Sequence, residues 1–147
     1  MSEAELYFYA VEFRRAIIGR GSSSRMCAAI AAPLSAALEL LGTPNMLMES
    51  DLQECNHVFL QLENGMVLDP TADQFLTESV ADGWNVYLGV PLLIHGDAQP
   101  FTGQVWVELM HQFKRMEPNL RPDMAGQLVR SVLRTLPSEF LELPSTH

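Results

Sequence analysis

The sequence predicts an α+β fold: a Cys-bearing buried helix packed on a small antiparallel sheet, with additional C-terminal helices. Three observations predict it. The stretch around Cys27 is almost all alanine, so small side chains lie on every side of a helix there. Residues 55–69 alternate apolar and polar on either side of a Glu63-Asn64-Gly65 turn, as two paired strands would. Residues 102–136 carry two apolar stripes at helical spacing.

The chain of 147 residues fits one domain, 1–147. A domain of this size buries roughly 68–70% of its unfolded surface, enough for one core. The catalytic-like core is expected over about 20–95 and the C-terminal helices over about 101–137. With 48% hydrophobic and 18% charged residues the composition is that of a globular protein. The net charge of −9 disfavours phosphate backbones, so a nucleic-acid partner is not expected. No apolar run approaches the ~18 residues of a membrane span. The N-terminus, MSEAELYFYAVEF, has acids where an export signal would be basic, which places the expected location in the cytoplasm or in a phage particle.

Residues 4–19 place Leu6, Tyr9, Ala10, Phe13 and Ile17 on one helical face, and Gly19 and Gly21 stop it. Gly21-Ser22-Ser23-Ser24 is a polar loop with Ser23 or Ser24 as N-cap. The next helix spans roughly 25–41, with Met26, Ile30, Leu34, Leu38 and Leu41 on one stripe. Pro33 removes a backbone donor inside it, which predicts a bend or a start nearer residue 29. Gly42 closes the helix.

Strands are expected at 45–50, 55–62 and 66–69, with Pro70 limiting the last. Residues 76–84 are turn-rich, 85–94 read as a strand broken by Gly89 and Pro91, and 95–100 read as a loop. A helix at 102–116 is followed by a linker at 118–122, a second helix at 123–136 and a loose tail.

The turn between the two central strands decides which side chains meet. A two-residue loop would set Asp69 opposite Leu60, among Val58 and Leu62, where a carboxylate is costly. A three-residue loop with Gly65 in the left-handed region sets Phe59 opposite Asp69 instead. Val58, Leu60, Leu62, Met66 and Leu68 then share one face, and His57 and Asp69 share the other. A slip of one residue exchanges the faces, so the apolar pattern selects the three-residue turn.

Cys27, His57 and Asp69 are therefore candidates for a nucleophile, a base and an orienting acid. With Ser24 as N-cap, Cys27 would stand third in its helix, where the backbone N–H groups and the dipole favour a thiolate. Taken singly, each residue also has a structural reading. Cys27 fits a small core position, His57 a satisfied strand position and Asp69 a strand-ending turn. Gln53, Asn56, Asp73 and Gln74 are placed by position along a cleft, Asp73 also as a fallback partner for His57. His95 and His111 read as surface residues, Trp84 and Trp106 as packing.

GSSSRMCAAIAAPLSAALELLG and NHVFLQLENGMVLDPTAD resemble successive blocks of transglutaminase-like proteins, over roughly residues 20–75. These are similar in fold to papain-like cysteine peptidases and arylamine acetyltransferases. The resemblance implies a papain/transglutaminase-like core with Cys27, His57 and Asp69 in the triad positions. It implies a cysteine hydrolase, peptidase or amidase, or an acyltransferase working through a thioester. The substrate would be a protein, a peptide or a small amide, with no cofactor, no metal and no membrane partner. Two further readings are carried beside it. One is a non-catalytic binding or assembly module whose amphipathic C-terminal helices contact a partner protein. The other is a zinc site drawn from Cys27, Cys55, His57 and Asp69, which no local spacing supports.

Overall fold

The structure is a computed structural model of the chain. It describes residues 1–19, 26–52, 56–74, 85–116 and 120–135. Among them are four α-helices and a five-stranded antiparallel sheet, an α+β architecture. The expectations for Ser23, Ser24, Gln53, Cys55, residues 76–84, Trp84 and the tail fall outside the described residues.

Helix α1 (Glu3–Ile18) is opened by a reciprocal cap. The Ser2 hydroxyl accepts from the Glu5 N–H at 3.1 Å, and Glu5 accepts from the Ser2 N–H at 3.0 Å. Its predicted stripe of Leu6, Tyr9, Ala10, Phe13 and Ile17 is buried, and Gly19 follows with a positive φ of 58°.

Helix α2 (Cys27–Leu40) is the centre of the molecule: every residue from Cys27 to Leu38 is buried. It runs through Pro33 as one continuous helix, so the start nearer residue 29 does not occur. Only one helical hydrogen bond is forgone there, to the Ala29 carbonyl, and burial of Ile30, Leu34 and Leu38 at ~1.5–3 kcal/mol each outweighs it. The helix ends as predicted at Gly42, φ 85°, with Gly42 N–H donating to Glu39 O and Thr43 N–H to Leu38 O. The start differs from the expected one: Met26 is the cap residue, and Cys27 is first rather than third in the helix.

Strands β1 (Asn45–Asp51), β2 (Asn56–Leu62), β3 (Val67–Asp69), β4 (Tyr87–Gly89) and β5 (Ala98–Pro100) lie in the order β4-β3-β2-β1-β5. In the β2–β3 hairpin Leu60 pairs with Leu68 and Gln61 with Val67. That is the register the three-residue turn predicts, and Gly65 takes the left-handed φ of 88°. Alternation then gives Val58, Leu60 and Leu68 to the face that joins the core around α2. The other face carries Met48, Phe59 and Val67, covered by Tyr87 and Ala98.

Two expectations around residue 90 are corrected. The expected strand 85–94 is only Tyr87–Gly89, followed by a 3₁₀ turn at Leu93–His95. The expected loop 95–100 contains β5, which pairs with β1 through Glu49 and Gln99. Pro100 is tolerated there because β5 is an edge strand.

Helix α3 (Gln104–Arg115) packs against α2, and α4 (Pro122–Leu133) packs against α1. Pro122 is not linker but the first helical residue, the position where a missing N–H costs nothing. A Cβ on Gly126 would collide with the Ala16 Cβ, so glycine sets how closely α4 approaches α1. Trp106, Leu109, Phe113, Ala125, Val129, Val132 and Leu133 are all buried in this packing. The two apolar stripes are thus used inside the protein. No helix among the described residues is long and apolar enough to cross a membrane.

Candidate active site

Cys27 opens α2, His57 is the second residue of β2, and Asp69 closes β3. All three are buried. The His57 Nε2 lies 2.6 Å from the Asp69 Oδ2, and the Cys27 thiol is near enough to the ring to help raise its pKa. That proximity places the first turn of α2 against the start of β2. Cys27 stands first in the helix rather than third, still within the turn whose N–H groups lack intrahelical acceptors.

A second imidazole completes the cluster. His95 Nε2 lies 2.7 Å from the same Asp69 Oδ2, and its side chain is fully buried. This overturns the surface placement expected for His95. Its ring packs on Phe59, centroids 4.6 Å apart, and near Tyr87 at 6.0 Å. The other Asp69 oxygen, Oδ1, accepts from the Thr71 N–H at 3.1 Å. Three donors around one carboxylate are the signature of an ionised acid.

The charges follow from these contacts. Burial pulls the His57 pKa down. The Asp69 charge and hydrogen bond outweigh it, and with the Cys27 thiol they raise the ring to about 9. Burial likewise pushes the Asp69 carboxyl up, but His57, and then His95, hold it down at about 2. Across neutral pH the favoured state is an imidazolium beside a carboxylate.

The remaining residues placed by sequence lie elsewhere. Asn56 donates to the Glu49 side chain across the β1–β2 pair at 3.2 Å. Asp73 forms a two-pronged ion pair with Arg14, at 2.6 and 3.0 Å, while Asp69 is the carboxylate hydrogen-bonded to His57. Gln74 ends the 3₁₀ turn Ala72–Gln74. His111 is exposed on α3, as expected, and Trp106 is buried.

Arg14 is a contributor that sequence reading missed. From α1 it also donates to the Pro70 carbonyl at 2.8 Å and the Asn85 carbonyl at 3.2 Å. It thereby fixes the backbone that leaves Asp69. Its signal was present: Ala10, Arg14 and Ile17 share a helical face, so a cation stood on the core stripe of α1.

His57, Asp69 and His95 also present ligand atoms within 4.8 Å of one another, the composition of a metal-binding set. Their protons argue for a different use. A metal-bound imidazole donates its second N–H to an acceptor. The second nitrogen of His95 instead accepts from a donor, the Leu92 N–H, at 3.0 Å. That contact is the one made by a hydrogen-bonded ring rather than by a metal-bound one.

Comparisons with protein-family models, with curated proteins and with solved structures find no match.

Proposed function

We propose that the protein is a cysteine hydrolase, a peptidase or amidase, or an acyltransferase of the same chemistry, built on a papain/transglutaminase-like core. The observation that carries this is the buried His57–Asp69 hydrogen bond at 2.6 Å, with the Cys27 thiol near enough to act on the His57 charge. Support also comes from the order of the parts: a thiol at a helix start, an imidazole on one strand, a carboxylate on its neighbour.

In the proposed reaction the Cys27 thiolate attacks a carbonyl carbon. The new C–S bond forms as the carbonyl electrons move to oxygen, and the first-turn N–H groups of α2 would meet that charge. The His57 imidazolium gives its proton to the departing amine as the C–N bond breaks, leaving a thioester. Water then attacks the thioester while neutral His57 takes its proton. The acid departs and the thiol is restored. An amine in place of water gives acyl transfer. Asp69 holds the ring and balances its charge throughout. A protein, a peptide or a small amide fits this chemistry.

One observation favours a second reading: Cys27, His57 and Asp69 are each fully buried. In that reading the cluster is a structural hydrogen-bond core and the thiol is inert. The module reading, with the C-terminal helices as a partner surface, has less support, because their apolar faces are spent on α1 and α2.

Labelling separates the first two readings. The folded protein is treated with iodoacetamide and both cysteines are followed by peptide mass. Cys27 alkylating much faster than Cys55, with turnover of an activated ester lost in Cys27→Ala, is the expected result. Equal and slow labelling of both thiols overturns the enzyme reading.

A further inference from the structure

We propose that His95 is a positioning residue, held as a fixed Nε2–H donor that shares the Asp69 carboxylate with His57. As a role in catalysis it rests on the thiol chemistry proposed above; as a statement about protons it stands alone.

The tautomer follows from two contacts. The Leu92 N–H donates to His95 Nδ1 at 3.0 Å, so that nitrogen presents its lone pair. The ring proton is then on Nε2, aimed at Asp69 Oδ2 at 2.7 Å. A proton on Nδ1 would face the Leu92 N–H, donor against donor. The ring cannot easily turn to escape, because Phe59 and Tyr87 pack on it.

The consequence falls on His57. Both imidazoles address the same oxygen, Oδ2. A carboxylate oxygen that already accepts one N–H offers less charge to a second. His95 thus moderates how tightly Asp69 holds the His57 imidazolium, and it keeps the carboxylate turned toward both rings. The titratable groups facing His95 are Asp69 from β3, His57 from β2 and Tyr87 from β4. On β1, Glu49 and Asp51 alternate to the opposite face from Ser50, the partner of His57. The lone histidine at the end of the apolar run 90–94 thereby acquires a role that a surface position would not give it.

The test uses the full chain labelled with ¹⁵N and long-range proton–nitrogen spectra of the histidine rings. At pH 7 His95 is expected to show a single Nε2–H tautomer. Following the His57 ring through its titration gives the second readout. In His95→Gln the side-chain amide replaces the Nε2–H donor, and the His57 midpoint stays within a few tenths of wild type. In His95→Phe packing is kept and the donor lost, and the midpoint rises by about one pH unit, the size of one charge-assisted hydrogen bond. A protonated Nδ1 on wild-type His95 overturns the proposal. So does a His57 midpoint equal to wild type in His95→Phe. If the Phe variant does not fold, the wild-type tautomer and the Gln variant still decide. Zn²⁺ alone, added in slight excess, should leave the His95 signals in place; coordination at its Nε2 overturns the fixed-donor assignment. An inert Cys27 in the labelling experiment would sink the enzyme reading and leave these spectra to judge His95 separately.

Discussion

The two faces of the β2–β3 hairpin are held by different physics. One face presents Val58, Leu60 and Leu68 to α2, where contact is apolar and has no preferred direction. The other presents His57 and Asp69 to His95, where each contact has a donor, an acceptor and a line between them. The same backbone ladder serves both faces, because adjacent residues point in opposite directions. The apolar face sets the register. The polar face depends on it, since a slip of one residue would put Asp69 into the core.

The contrast is broken most severely by removing the shared acceptor. Asp69→Ala leaves two buried imidazoles facing no carboxylate, and breaking a buried pair in this way costs about 3–5 kcal/mol. Equilibrium unfolding in urea at pH 7 measures it.

Leu60→Ala strikes the opposite face. A buried leucine cut to alanine costs about 2–5 kcal/mol, from lost transfer and the cavity left behind. Its cost should be the same at pH 6 and pH 9, because no titrating group is involved. A pH-dependent cost would show that the two faces are not independent.

Acid and base sharpen the comparison further. The His57 pKa is raised from 6.5 to about 9, so its contribution is fully present below 6.5 and lost as pH rises through 9. The Asp69 pKa is lowered from 3.8 to about 2, so its contribution is present above 3.8 and lost as pH falls through 2. Stability from this pair is therefore greatest between roughly pH 4 and 6.5 and falls toward pH 9. Unfolding midpoints from pH 5 to 9 should slope downward in wild type. The slope should flatten in Asp69→Ala and persist in Leu60→Ala.

The smallest effect is expected at Thr71, whose N–H holds Asp69 while its hydroxyl is buried without a hydrogen-bond partner among the described residues. Thr71→Val keeps the shape and the N–H and removes only the hydroxyl. It should leave stability within about 1 kcal/mol of wild type, or raise it. A larger loss would mean that the hydroxyl belongs to the polar network.

Part of this layout is legible before any folding is considered. The stripe on α1, the all-round small residues of α2 and the Gly42 stop are short-range signals, each read within about one or two helical turns. The hairpin register is short-range too: alternation over Val58 to Leu68 and one glycine at position 65 suffice. Those signals bring His57 and Asp69 onto one face. They also say that the thiol sits near a helix start, although the cap residue itself shifted from Ser24 to Met26.

What only the tertiary structure decided is long-range. His95 comes 26 residues after Asp69, and Arg14 reaches Asp73 across 59. Neither pairing follows from any local period, because each depends on which elements the sheet order and the helix packing make neighbours. The same holds for β5, three residues whose strand character comes from lying beside β1. Periodicity fixes which way a side chain points along its own element. The partner it meets there depends on where chain ends, turns and layers come to rest, and that balance is struck by the whole core at once. So the sequence by itself determined the buried helix, the hairpin and the shared face of His57 and Asp69. Only the folded molecule brought Cys27 to that histidine and gave Asp69 its second one.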